Sequence, residues 1–112
     1  MKRLTKKAIV KFLSEWTGES ENKYFRVMTG KEGLKYSEYS HGIWYVDFDG
    51  SSIYDLIQGY PNWNFHTALY NFLNKYNMYF EQGHAWNFNI YKGYITFTEK
   101  ELLQIFKRSI YQ

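Results

Sequence analysis

The chain has 112 residues, of which 45% are hydrophobic and 22% aromatic, and its formal net charge at pH 7 is +3. A chain of this length typically forms one domain with a single core. The absence of cysteine excludes disulfide scaffolds, cysteine-containing zinc sites and thiol nucleophiles. The apolar run after the basic N-terminus is too short for a signal sequence or a membrane span, so we expect a cytoplasmic protein that does not contact membranes.

The first predicted element is an amphipathic helix that begins at Thr5 and ends before Gly18, a residue type that is typical of helix C-caps. After a polar loop, the β-prone and turn-forming residues predict four further segments. They are a strand-prone run over 24–28, a turn over 29–33, a short strand near 34–39 and a clearer strand over 43–48. Together they indicate an antiparallel meander.

Two short helices are predicted in the middle of the chain. Ser52 and Asp55 have the spacing of a capping box for a helix that runs through Ile57. Asn64 can cap a second helix that ends near Asn77 and has one apolar face. The Gly, Tyr and Pro at 59–61 separate the two helices.

The stretch 86–98 predicts a two-stranded ribbon that turns at Lys92-Gly93. In that register one face belongs to the core and carries Trp86, Phe88, Ile90, Ile95 and Phe97. The other face meets solvent or a partner, and its candidate partner-binding residues are Asn87, Asn89, Tyr91, Lys92, Tyr94 and Thr96. A final helix is predicted to begin with a capping box of Thr98 and Glu101.

The order of these elements predicts an α+β fold: a small single domain whose antiparallel sheet packs against N-terminal, central and C-terminal helices. The alternative is a winged-helix-like fold with an inserted hairpin, since a helix, a strand, two helices and a two-stranded wing follow one another in the same order. The helix that would read DNA carries only Lys75, near its end, which disfavours this alternative.

The run Ile43-Trp-Tyr-Val-Asp-Phe-Asp-Gly-Ser-Ser resembles the first motif of the haloacid-dehalogenase-type phosphohydrolases. The resemblance implies a nucleophile at Asp47 and a general acid/base at Asp49. That family also requires a downstream acidic pair to hold Mg²⁺, and no Asp follows Asp55 in this chain. We therefore interpret Asp49-Gly50 as a turn and predict no catalytic residues.

Metal and cofactor sites are not indicated by the sequence. His41, His66 and His84 lack the spacing of metal ligands, and no glycine-rich phosphate loop precedes a helix. We therefore expect neither a metal nor a cofactor, and we expect that the protein is not an enzyme.

Charge is distributed unevenly, since both ends of the chain are basic and the middle is acidic. Terminal helices that packed side by side would form a basic face, which favours polyanions or acidic proteins. The candidate residues of this basic face are Arg3, Lys6, Lys7, Lys11, Lys107 and Arg108.

A binding protein is favoured by the small size of the chain, by the absence of a catalytic motif, and by more Tyr and Trp than one core of this size should need. The first hypothesis is a protein-binding accessory or inhibitor protein of phage or mobile-element type. An anti-CRISPR-like counter-defence protein is one example, and its partner could be a host nucleic-acid-processing enzyme. The alternative is a single- or double-stranded nucleic-acid-binding protein that stacks bases on Tyr91 and Tyr94 and contacts phosphates with Lys92 and the terminal helices.

Overall fold

The computed structural model describes residues 3–93, and in it a four-stranded antiparallel sheet packs on one side against helices. The elements are α1 (Lys6–Thr17), β1 (Arg26–Thr29), α2 (Gly30–Gly33), β2 (Trp44–Asp47), α3 (Ile53–Ile57), α4 (Asn64–Asn74), β3 (Met78–His84) and β4 (Asn87–Lys92). The predicted α+β class is confirmed. The predicted C-terminal helix and four candidate residues, Tyr94, Thr96, Lys107 and Arg108, lie outside the described residues.

Helix α1 begins and ends where its sequence signals indicate. The Thr5 hydroxyl accepts a hydrogen bond from the Ala8 N–H at 3.2 Å, which satisfies one of the free donors of the first turn. Gly18 adopts a left-handed conformation with φ 70° and donates its N–H to the Ser14 carbonyl at 2.8 Å. The prediction for this helix is confirmed.

The strand order is β1-β2-β4-β3, and all neighbours are antiparallel. Over 87–90, strand β4 pairs with β2 on one edge and with β3 on the other. Both edges of 87–90 are thus occupied, so the predicted ribbon, in which these residues pair with a strand after Gly93, is wrong, and with it the wing of the winged-helix alternative; the predicted second strand, 94–98, lies outside the described residues. At the predicted turn position, the Gly93 N–H donates to the Asn77 carbonyl at 2.7 Å and extends the pairing of β3 with β4.

The sequence did not predict strand β3, nor that the turn over 29–33 would form the short helix α2. Residues 81–83 are exposed, and a run of Glu, Gln and Gly has the composition of a loop. The strand forms because its backbone pairs with β4 from Met78 to His84, with an irregularity between Gln82 and His84. Only its first half carries large apolar side chains toward the helices.

The predicted short strand near 34–39 is wrong. Residues 34–43 form an irregular segment of turns and bends between α2 and β2. Leu34 and Tyr36 are 60% and 67% exposed, so this part of the chain has no buried row of alternating side chains. We call residues 34–43 the covering segment, because they lie on the sheet face opposite to the helices, which we call the outer face.

Helix α3 is confirmed, but the predicted capping box is wrong. The Ser52 side chain makes no capping hydrogen bond. Instead, the Ser51 hydroxyl accepts from the Ile53 N–H at 3.1 Å, and the Glu19 carboxylate accepts from the Ser51 hydroxyl at 2.6 Å and the Ser52 N–H at 3.1 Å. A carboxylate from the end of α1 thus anchors α3.

Helix α4 is also confirmed with a different start. Asn64 is its first helical residue rather than its cap, and the Asn62 side chain accepts the Asn64 N–H at 3.0 Å. After the helix, Asn77 takes the left-handed conformation, with φ 56°, and the chain turns into β3.

The core lies between the helices and the inner face of the sheet. Four strand side chains, Val27, Val46, Phe88 and Ile90, are fully buried there. They pack with buried side chains of the helices, namely Ile9, Leu13, Ile53, Ile57, Phe65, Leu69 and Leu73. The core prediction is confirmed for Phe88 and Ile90 and wrong for Trp86, which is 40% exposed. Within residues 3–93, no helix is both long and apolar enough to cross a membrane.

Candidate functional surface

Two of the candidate partner-binding residues are buried on the outer face. Asn87 and Asn89 alternate with core residues along β4, as predicted, but their exposed fractions are 0% and 2%. The prediction that these two side chains face solvent is wrong, because the covering segment lies over the outer face. Neither side chain can touch a partner while that segment is in place.

Asn89 fixes the covering segment to the sheet through both ends of its amide. Its Oδ1 atom accepts from the N–H groups of His41 at 2.8 Å and Gly42 at 3.0 Å, and its Nδ2 atom donates to the Tyr39 carbonyl at 2.9 Å. An asparagine side chain offers one acceptor and two donor hydrogens, so this single residue satisfies three backbone groups of an irregular segment.

Close backbone approaches complete the attachment. A Cβ atom on Gly30 would clash with the Gly42 carbonyl oxygen. Only glycine therefore allows the two backbone segments to pass this close to each other. The Ser40 hydroxyl, which is buried, donates to the Gly30 carbonyl at 2.8 Å. The covering segment therefore has a defined position relative to the start of α2.

A second polar group lies beneath the covering segment. Tyr45 is 1% exposed, and burial raises the pKa of its phenol above the ordinary 10.0, an effect that the Ser37 and Asn87 side chains partly offset. Asn87 accepts the His84 N–H at 2.9 Å, but its buried Nδ2 atom makes no hydrogen bond of standard geometry with the described residues. The outer face is thus buried through polar contacts, unlike the inner face.

Above this polar layer, four aromatic side chains are exposed: Tyr24 at 37%, Tyr36 at 67%, Tyr39 at 36% and Trp86 at 40%. We call them the aromatic surface. His84 joins two of them, since its ring lies 3.9 Å from the Tyr39 ring centre and stacks on the Trp86 ring at 4.9 Å. Tyr36 and Tyr39 line one shallow depression of the covering segment.

Tyr24 and Tyr36 also line a groove of about 300 Å³ beside β1. Each tyrosine has a cation over its ring: the Lys23 ammonium lies 5.3 Å from the Tyr24 ring centre, and the Arg26 guanidinium lies 5.7 Å from that of Tyr36. The carboxylates of residues 47 and 49 line the same groove, and neither comes within 4.0 Å of a cation in the described part of the chain. The groove therefore carries both signs of charge.

The other described ribbon candidates, Tyr91 and Lys92, lie at the end of β4. Tyr91 is half-buried and stacks on Tyr79 of β3, with 5.4 Å between the ring centres, while Lys92 is exposed. Burial, followed by the charge of Glu81, raises the pKa of Tyr91 above 10.0. Because Tyr79 takes one face of its ring, Tyr91 has less aromatic surface to offer a base than the prediction assumed.

The described half of the basic face is partly neutralised. Lys6 pairs with Glu21 at 3.2 Å, and Lys11 contacts Glu15 at 4.0 Å. Arg3 and Lys7 are exposed on the same part of the chain. The exposed Lys11–Glu15 pair is weak, whereas Glu21 is only 15% exposed, and both pairs reduce the net positive charge that a polyanion would meet.

The end of β2 leads into a turn that carries the Asp47 and Asp49 carboxylates. Asp47 accepts the Asp49 N–H at 3.1 Å, and Gly50 has φ 89°, so the interpretation of Asp49-Gly50 as a turn is confirmed. Within residues 3–93, no group of three or more histidine, aspartate or glutamate side chains is placed to hold a metal ion.

Sequence reasoning missed the aromatic surface, although a signal for it exists. Residues 36–42 read Tyr-Ser-Glu-Tyr-Ser-His-Gly, which is rich in the residue types of antibody contact loops. The predicted strand near 34–39 assigned these residues to a sheet instead of a contact loop.

The chain matches no protein-family model, and searches of curated proteins and of solved structures also found no match.

Proposed function

We propose that the chain is a non-catalytic binding protein that recognises another protein through the aromatic surface. One observation carries the proposal: two exposed rings, Tyr36 and Tyr39, belong to a segment whose backbone is fixed by Asn89. Beside them, the exposed Trp86 ring adjoins Tyr39 through His84, and the exposed Tyr24 ring shares a groove with Tyr36. Loops that a rigid scaffold holds in place are where binding residues are concentrated.

The residue types fit a protein partner. Tyrosine and tryptophan supply a large contact area, lose little rotamer entropy and place a polar group at the rim, which makes them frequent hot spots of protein interfaces. The serine and glycine residues of the covering segment add short polar contacts between the rings. Since its backbone groups are already paired to β4, this segment needs little further ordering when it binds.

Nucleic acid is the second candidate, and the groove beside β1 supports it. Lys23 and Arg26 lie over tyrosine rings, an arrangement that suits a phosphate next to a stacked base. Two observations rank it second. Asp47 and Asp49 line the same groove and would repel phosphates, and Lys6 is paired with a carboxylate.

The test compares two variants in affinity capture from a lysate of the source organism. The first is Tyr36→Ala/Tyr39→Ala/Trp86→Ala, which removes three rings of the aromatic surface. The matched control is Tyr54→Ala/Tyr70→Ala, which removes two tyrosines, 41% and 55% exposed, from α3 and α4. We expect the wild type and the control to retain the same protein and the first variant to lose it.

A captured protein that the first variant retains would place the interface elsewhere. In parallel, the purified chain is titrated against labelled single- and double-stranded oligonucleotides at low and high salt. Salt-sensitive binding that Lys23→Ala/Arg26→Ala abolishes would replace the protein partner with nucleic acid, because counterion release makes phosphate contacts salt-dependent.

A further inference from the structure

At the free edge of β1, side chains bind backbone groups that a neighbouring strand would otherwise bind. The Gly30 N–H donates to the Ile43 carbonyl at 2.8 Å, which fixes the alternation in the β1-β2 pair. Arg26 and Met28 therefore bond to β2, while Val27 directs its N–H and C=O, and Thr29 its N–H, away from the sheet; the Thr29 carbonyl belongs to the first turn of α2. Such outward groups on an edge strand are a template for pairing with another chain.

Both outward N–H groups of β1 are bound to carboxylates. The Val27 N–H donates to Glu21 at 3.1 Å, and the Thr29 N–H donates to Glu32 at 3.3 Å. Each carboxylate has a further partner that holds it in place. Lys6 lies 3.2 Å from Glu21, and the Thr29 hydroxyl lies 2.9 Å from Glu32. The edge is closed by two fixed, charged acceptors.

These carboxylates occupy the positions that an added strand would use. Val27 and Thr29 are two residues apart, or about 7 Å along a strand, which is the repeat at which an antiparallel neighbour presents its hydrogen-bonding groups. A groove of about 360 Å³ lies beside this edge, and its lining includes Val27, Met28 and Tyr36. Without the two carboxylates, the groove would expose two unpaired donors beside buried apolar side chains.

We propose that Glu21 and Glu32 close the edge of β1 against antiparallel pairing with β1 of a second copy of this chain. A second copy fits this edge because β1 presents an outward acceptor at Val27 and an outward donor at Thr29. A two-fold axis between two β1 strands would join the Thr29 N–H of each copy to the Val27 carbonyl of the other. The carboxylates oppose this pairing because Glu32 occupies the Thr29 donor and Glu21, bound to the Val27 N–H, stands where the added strand would lie.

The test measures molecular mass by sedimentation over a concentration series for Glu21→Ala/Glu32→Ala. We expect this variant to shift from the mass of one chain, 13.6 kDa, to twice that mass as concentration rises. The matched control, Glu21→Gln/Glu32→Gln, keeps an oxygen acceptor at both positions. It should pair at least tenfold more weakly than the alanine variant.

A third substitution assigns the contact to β1. Thr29 has φ −62°, which proline adopts without strain, so adding Thr29→Pro to the alanine variant removes an edge donor and should restore the mass of one chain. Glu32→Ala alone changes an exposed residue and tests the proposal if the double variant fails to fold. We expect it to associate measurably more than the wild type.

Two outcomes would overturn the proposal. The first is a folded alanine variant, double or single, that keeps the mass of one chain throughout the series. The second is a dimer that persists after Thr29→Pro. This inference does not depend on the proposed function, since the aromatic surface is intact in all of these variants.

Discussion

The two faces of the sheet are buried by different means. On the inner face, Phe88 and Ile90 of β4 are covered by helices and make apolar contacts. On the outer face, their neighbours Asn87 and Asn89 are equally buried, but the cover is an irregular segment joined by hydrogen bonds. Apolar burial tolerates many arrangements of similar volume, whereas polar burial requires specific partners, and this specificity is what fixes a loop in one position.

The largest effect should come from the inner face. Phe88→Ala removes a fully buried ring that packs with Phe48 and Phe80, and we expect a loss of about 3–5 kcal/mol in the free energy of unfolding. Chemical denaturation measures it. Phe88→Leu keeps most of the side-chain volume and should lose less than half as much. Equal losses for the two variants would mean that the inner face is not tightly packed.

Asn89→Ala tests the outer face at the neighbouring position of the same strand. It leaves two N–H groups and one carbonyl without their partner, and we expect a loss of about 2–4 kcal/mol. Hydrogen exchange should rise at His41 and Gly42 before the core opens, because the covering segment detaches first. The exposed Asn71 of α4 provides the control, since Asn71→Ala should change stability by less than about 0.5 kcal/mol. Unchanged exchange in Asn89→Ala would mean that other contacts hold the segment.

Gly30→Ala tests the close backbone contact between the covering segment and the start of α2. The added methyl group would meet the Gly42 carbonyl, which is backbone and cannot rotate away, so we expect a loss of about 1–3 kcal/mol. The control is Gly18→Ala, where nothing lies within 4 Å of the new atom. That variant should lose about 1 kcal/mol through its left-handed backbone alone. Thermal unfolding of both variants distinguishes crowding from backbone strain.

The smallest expected effect depends on pH. Hydrogen bonds from the Thr29 hydroxyl and N–H hold the pKa of Glu32 below its ordinary 4.5. Because this pKa is lower in the folded state, the stabilisation is fully present above pH 4.5 and is lost as the pH falls through the folded-state value. Glu32→Gln should therefore flatten the acid side of the stability curve, measured by denaturation above and below pH 4.5. Glu38→Gln, at an exposed position, should leave that side unchanged.

The sequence predicted the parts of the fold that depend on apolar periodicity or on local caps. Helix α1, strand β2 and the core role of Phe88 and Ile90 follow from such patterns. The burial of Asn87 and Asn89 does not follow, because an alternation of apolar and polar residues predicts a solvent-facing polar row. Which segment covers that row is decided by contacts about fifty residues apart, and no local pattern records them.

Strand pairing is the second property that local sequence patterns did not predict. Residues 86–92 have the alternation of a ribbon, and a glycine at 93 suggested the nearest downstream partner. The actual neighbours are β2, which ends at Asp47, far upstream, and β3, whose exposed Glu-Gln-Gly run resembles a loop. The aromatic surface was missed for the same reason, since its four rings come from segments that only this pairing brings to one side.

The position of β4 in the centre of the sheet also bears on the order of folding. The β3-β4 pair closes a short loop, whereas the β2-β4 pair must close one of about forty residues and so loses more chain entropy when it forms. Asn89 lies on β4 and the covering segment leads directly into β2, so we expect their hydrogen bonds to form together with this long-range pairing. A peptide of residues 34–43 alone should therefore not reproduce the binding that we propose for the whole chain.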